Sequence, residues 1–418
     1  MVLKQVFEKI SFATQDSDGV GTDPGEARDC NHEVTTGEFQ YQFARIYRTL
    51  KKLGICNNKA RLYDFFTRIS EYDLMVSFTL RIGKLRGMAA SLAVMALIMV
   101  ISLAPALPSA SQELPGSIVA QEYLAPPGVR LHDAVPDGNG WVWYTARPRD
   151  GGLLGGVKPA TGEHVLVPLG EGSSPHGVIV GPDGDVWVTD PGLNAIVRVD
   201  PATRKTTFYK VPGPVVHLNT ATFDRRGIHW FTGADGYIGR LDPATGEMRV
   251  FDAPRGPGPY GIATAPDGTV YYASMRGGYL GRVDGDDGAI TVLDPPTPNS
   301  GVRRVWADSK GRLWVTQYNV GQLARYDPAT GRWTEWRLPG EEPRPYAVYV
   351  DTRDHIWLSD HALGGSGGND SLVHFDPDTE TFTTVASSAP LRVAQLGGIP
   401  GEVWGADRNR GRVVVVRY

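Results

Sequence analysis

One aromatic residue returns along this chain at nearly constant intervals, and no other feature restricts the fold so severely. Trp143, Trp187, Trp230, Tyr271, Trp314, Trp357 and Trp404 are separated by 44, 43, 41, 43, 43 and 47 residues. A fixed period in the low forties means that one supersecondary unit is built repeatedly. In the second unit the aromatic sits in GPDGDVWVTD (181–190), a turn dipeptide followed by a short run that closes on an acid. A second phrase, Asp-Pro-Ala-Thr-Gly or a variant of it, recurs at 158–162, 200–204, 242–246, 284–288, 327–331 and 376–380.

Each unit divides into four short strands. In the second unit these are HGVIVG (176–181), DVWVTD (185–190), AIVRVD (195–200) and TTFYKV (206–211). The Asp-Gly pair turns the first hairpin and the Pro-Ala-Thr phrase turns the last. Four strands per forty-odd residues define a β-propeller blade. The last unit ends on a third strand, GRVVVVRY, with no fourth behind it, while IVAQEYLAP (118–126) is a spare outer strand at the other end. Joining the two seals the ring and removes both sheet edges. The expectation is an all-β, seven-bladed β-propeller of four-stranded blades over 112–418, closed by an N-terminal strand.

Composition agrees where it bears on this. Glycine (51) and proline (31) are abundant and charged residues make up 21%, as a turn-rich β protein requires. A net charge of −4 without any basic stripe argues against nucleic acid as a partner. Both cysteines, Cys30 and Cys56, precede the repeats, so the repeats have no disulfide or thiol chemistry. The same N-terminal quarter contains an apolar run from Met88, preceded by Arg81, Lys84 and Arg86 and closed by small residues and prolines. Residues 75–111 are therefore expected to be a signal peptide or a membrane anchor, and residues 1–74 an upstream extension with little stable fold. The propeller is expected to be a secreted or periplasmic monomer, touching a membrane only if the signal stays uncleaved.

In a blade of this kind the crossover from strand four to the next strand one opens on the face opposite the regular turns. Function should gather there, around the channel mouth. Eleven residues before each aromatic, at the start of strand one, stand His132, His176, Asn219, Tyr260, Arg303, Tyr346 and Val393. Three residues after it, at the end of strand two, stand Ala146, Asp190, Gly233, Ser274, Gln317, Asp360 and Asp407. The expected catalytic pair is His176 as base and His132 positioning the substrate, with Tyr260, Arg303, Tyr346, Asn219 and His361 binding a small-molecule or cyclic peptide ligand. Asp190, Asp360 and Asp407 are the expected metal ligands. The loop ALGGSGGNDS (362–371) is read either as a lid or as a tolerated insertion.

The phrases SPHGVIVGPDGDVWVTD (174–190) and GPYGIATAPDGTVYYAS (258–274) resemble the repeat of the virginiamycin B lyases, also called streptogramin B lyases. That resemblance implies a Mg2+-assisted elimination that opens a cyclic depsipeptide at its ester without hydrolysis. A histidine would remove a carbon-bound proton while the ion polarises the ester carbonyl. The family's histidine pair falls on Tyr346 and about Val393, whereas His132 and His176 hold the same kind of position in the first two blades. Asp190, fourteen residues after His176, resembles the family's metal-binding acid, and its second acid falls on Ser174. An exported lyase-like enzyme, a non-catalytic secreted ligand- or protein-binding propeller, and a lactonase-like hydrolase gripping an ion with Asn219 and acids all remain open at this point.

Overall fold

The computed structural model describes residues 119–148, 151–362 and 370–418, whose regular elements are all β-strands. The expected extension (1–74) and signal or anchor (75–111) lie outside the described residues, as do residues 363–369 of the glycine-rich loop. The strands form seven antiparallel four-stranded sheets, and each sheet packs on the next through its innermost strand until the seventh meets the first. This is the seven-bladed propeller that the period and the turns anticipate. Blade 2 runs from the axis outward as Val178–Val180, Val186–Asp190, Ala195–Val199 and Thr206–Lys210. Blade 7 takes its outer strand from the front of the chain: Ala120–Leu124 pairs antiparallel with Arg412–Arg417, Ala120 opposite Val416 and Leu124 opposite Arg412.

The recurring phrase is three devices in a row. The first is the aromatic, which is 3% exposed or less in all seven blades and packs between neighbouring sheets. In blades 1, 3, 5 and 6 its indole N–H also donates to an aspartate six residues earlier: Asp137, Asp224, Asp308 and Asp351. The other oxygen of that aspartate accepts two backbone N–H groups of the hairpin, as Asp308 does from Lys310 and Arg312. Turn and core are thereby fastened to one carboxylate. Blade 2 has Gly181 at this place, and the Trp187 indole N–H is left without a partner among the described residues.

The second device is the threonine two residues after the aromatic. Thr189 Oγ1 accepts the Gly177 N–H (2.9 Å) of its own inner strand and donates to Asn219 O (2.6 Å) of blade 3. Thr145 does the same toward His176 O (2.6 Å), and Thr232 toward Tyr260 O (2.6 Å). A strand carbonyl that would face the channel unpaired is satisfied by the hydroxyl of the preceding blade. The third device is the terminal acid, described with the site below.

Candidate functional site

Where each inner strand begins, its pairing with the second strand slips. In blades 1, 3, 4, 5, 6 and 7 two inner-strand residues stand opposite one, for example His132 and Asp133 between the paired positions Leu131 and Ala134. A bulge of this kind breaks the alternation of a strand and re-aims its side chains. Two successive residues per blade therefore reach the channel: His132-Asp133, Asn219-Thr220, Tyr260-Gly261, Arg303-Arg304, Tyr346-Ala347 and Ala394-Gln395. Blade 2 contributes His176-Gly177. In blade 7 the pairing of Val393 with Asp407 puts Ala394, not Val393, at the position of His132.

The structure brings His132 and His176 together, with ring centroids 4.1 Å apart. Between them lies Asp133, which the sequence reading passed over. Its carboxylate is fully buried; Oδ1 stands 2.9 Å from His132 Nδ1 and Oδ2 4.0 Å from His176 Nδ1. Asp133 Oδ2 and His176 Nδ1 have no other partner among the described residues. Burial opposes ionisation of Asp133, yet His132, His176 and Arg304 hold its carboxyl well below the usual range. Burial pushes both imidazoles down, His176 further, with Asp133 pulling the other way. Asp133 therefore carries the charge while the imidazoles stay neutral at neutral pH. With Nδ1–H of His132 donated to Asp133, its Nε2 keeps a lone pair for taking a proton.

Across the channel stands an aromatic cage. Arg303 lies 3.5 Å from the Tyr346 ring centroid, 4.2 Å from that of Tyr260 and 4.9 Å from that of Tyr318. It donates Nη2–H to Tyr260 Oη (2.7 Å) and faces Met275 Sδ with Nη1. The two phenols of blades 4 and 6 meet at 2.7 Å. Burial pushes Tyr260 up to about 12. Burial acts on Tyr346 in the same sense, but Arg303 and Arg304 outweigh it and draw its phenol down. His361 stacks on Tyr346 at 4.3 Å and donates Nε2–H to Val393 O (2.8 Å); burial lowers it to about 3. Asn219 is buried, with Oδ1 lacking a partner among the described residues.

The acids at the ends of the second strands do not join this group. Asp190 accepts Ser173 Oγ–H (2.5 Å) and the N–H groups of Ser174 (2.8 Å) and Leu193 (3.1 Å), and is fully buried. Asp360 accepts Arg344 N–H (2.5 Å), and Asp407 accepts Asn409 N–H (3.1 Å). Each clasps its own crossover or loop, and Asp190 is saturated by that work. Burial raises Asp407, whose Oδ2 has no hydrogen-bond partner among the described residues, and raises Asp360 to about 6. Magnesium needs several converging oxygens, and these three carboxylates do not supply them. Among the described residues the group able to hold a metal ion is His132, Asp133 and His176, whose donor atoms lie within 4.8 Å of one another. Two imidazole nitrogens and one carboxylate suit zinc or another first-row transition ion better than magnesium. A cleft of about 450 Å³ also opens on the channel-mouth side between blades 4 and 5. It holds no histidine, and its one carboxylate, Asp294, is paired with Arg255 at 2.7 Å, leaving Arg276 beside them, so the acid–base chemistry is not assigned to it.

Fold and mouth together define a propeller with a polar, histidine-bearing channel. Residues 162–368 match the model of the Virginiamycin B lyase family. That match spans just under half of the chain, which is similar to the family over those residues. A structure of a catalytically inactive virginiamycin B lyase from Staphylococcus aureus with Quinupristin superposes with a TM-score of 0.63 at 20% identity, covering 72% of this chain and 99% of that one. A streptogramin B lyase structure superposes equally well at 19% identity, with 72% and 98% covered. The extracellular domain of a candidate hybrid two component system from B. thetaiotaomicron gives 0.57 at 14% identity, over 72% of this chain and 43% of that one. Identities this low establish the fold alone. A Gluconolactonase of Zymomonas mobilis subsp. mobilis is 43% identical over 58 residues, 13% of this chain and 16% of that protein.

Proposed function

We propose that this propeller is an exported acid–base enzyme of the lyase type, opening a cyclic ester at its channel mouth by elimination. The observation that carries this reading is the buried Asp133 carboxylate between two neutral imidazoles. His132, oriented through Nδ1, takes the carbon-bound proton on Nε2. The C–O bond of the ester breaks, a C=C bond forms, and the acyl side departs as a carboxylate. His176, packed against His132 at a tilt and less basic, positions the first ring and shields it from water. Tyr260, Tyr346 and Arg303 grip the ligand from the opposite wall, with Asn219 and His361 at its flanks. Magnesium is given no part in these steps, because Asp190, Asp360 and Asp407 belong to no cluster of metal-holding donor atoms among the described residues. Export rests on the basic, apolar and small-residue succession in 75–111.

The purified propeller should open a streptogramin B depsipeptide to a product of unchanged mass, since elimination adds no water. His132→Ala and Asp133→Asn should each slow this by about 10²-fold or more, read by mass spectrometry of single time courses. A product heavier by one water would instead favour the lactonase-like alternative. An intact substrate under all conditions, with ligand binding preserved, would leave the binding-module alternative standing and end the enzymatic reading.

A further inference from the structure

Strict alternation along the inner strand of blade 5 would send Arg303 to the channel and Arg304 away from it, but the bulge there turns both toward the channel. They are 8% and 5% exposed. A guanidinium withdrawn from water costs several kcal/mol unless it is paired. Elsewhere in this propeller arginines are paired: Arg226 holds Asp224 and Asp286, Arg312 holds Asp308. Arg303 is compensated by three aromatic faces. Arg304 has one ring contact, to Tyr260 at 5.1 Å, and acts on the buried Asp133 carboxylate. Its Nη2–H reaches across the ring to Ala394 O (3.2 Å), and its Nε, like that of Arg303, has no partner among the described residues.

A second guanidinium approaches the same place from blade 1. Arg147 donates Nε–H to Pro175 O (2.8 Å), the carbonyl just before His176. Arg147 and Arg304 both act to lower His176, and Arg304 also acts on Asp133. Two fork-shaped donors thus act on the imidazole pair, and the carboxylate they share, Asp133, is also engaged by His132 through Oδ1. Gly261 permits this arrangement, since a Cβ there would lie 2.6 Å from Arg304 Cα.

We infer that Arg304 and Arg147 form a carboxylate-binding site beside the His132–Asp133–His176 group. Planar guanidinium forks match the two oxygens of a carboxylate. The inference deepens the proposed lyase reading and, for its catalytic meaning, rests on it: the carboxylate received is the one released when the ester C–O bond breaks. Arg304 then touches the leaving group, and small carboxylates compete with substrate.

The test is calorimetric titration of the full propeller with phenylacetate and with phenylacetamide, which differ in charge and hardly in shape. Wild type should bind the carboxylate and not the amide. Arg304→Gln and Arg147→Gln should each raise the Kd for phenylacetate about tenfold or more, and Arg304→Lys should fall between. His132→Ala should retain binding, which separates this inference from the proposed reaction: a protein that binds phenylacetate but opens no ester keeps the site and loses the lyase. Equal binding of carboxylate and amide, or unchanged affinity in both glutamine variants, overturns it. Should Arg304→Gln fail to fold, Arg147→Gln and Arg304→Lys decide alone.

Discussion

Thr189 carries two obligations that no other side chain in blade 2 can take over: it accepts from Gly177 N–H and donates to Asn219 O. Valine would fill the same space and strand both backbone groups in a buried place. Thr189→Val is expected to lower stability by about 1–3 kcal/mol, seen as a lower urea midpoint at unchanged m-value. Asp133 and Arg304 illustrate what was hidden at this scale. Period-two alternation sends the residue after His132 to the opposite face, so only the first column of channel residues was read. The signal was one position further on, where Asp133, Arg304 and Gln395 stand in a column otherwise of Gly177, Thr220, Gly261 and Ala347. Position three after the aromatic does approach the mouth, but spacing does not say that Ser173, Ser174 and Leu193 donate to Asp190 there.

The turns were legible in detail because they are local. The Pro-Ala-Thr phrase ends in a left-handed residue, glycine at Gly162, Gly246 and Gly331 (φ 71°, 76° and 69°). Blade 2 has Arg204 there at φ 63° and blade 6 has Glu380 at φ 55°. A side chain in that region costs about 1–2 kcal/mol, part of which glycine returns through its looser unfolded state. Arg204→Gly is accordingly expected to stabilise by about 0.5–1 kcal/mol, read as a higher melting temperature with the turn bond from residue 204 N–H to Asp200 O (2.8 Å) kept. The closing strand was equally legible: a unit short by one strand and a spare strand at the front imply each other, and Ala120–Leu124 covers Val413–Val416 as that logic requires.

Across the whole ring, burial of histidine ties stability to pH. His229 sits among Trp187, Phe223 and Phe231 with neither ring nitrogen partnered among the described residues, and burial drives it down to about 3. His361 is lowered to about 3 and His374 to about 4, chiefly by burial. For each, the unfolded chain binds a proton near pH 6.5 that the folded form refuses. Their stabilisation is complete above pH 6.5 and is lost as pH falls toward 4 and 3, at about 1.4 kcal/mol per unit for each group. Asp360, raised to about 6, acts oppositely over a narrower window: its contribution is present below the ordinary carboxylate range and fades as pH rises through 6. Urea midpoints should therefore fall steeply from pH 7 to pH 4, and His229→Leu should flatten that slope.

The repeat by itself determined the number of blades, the strands within them, their turns and the way the ring closes. The strands and turns rest on hydrogen bonds between residues close in the chain, the number of blades on the period, and the closure on a unit one strand short matched by a spare strand at the front. Tertiary structure alone decided what the channel contains. His132 meets His176, Arg304 reaches Ala394 and Tyr260 meets Tyr346 across separations of 44, 90 and 86 residues. Which of two neighbouring side chains points inward there depends on a one-residue slip between strands, and a carboxylate's freedom depends on which backbone groups have already claimed it.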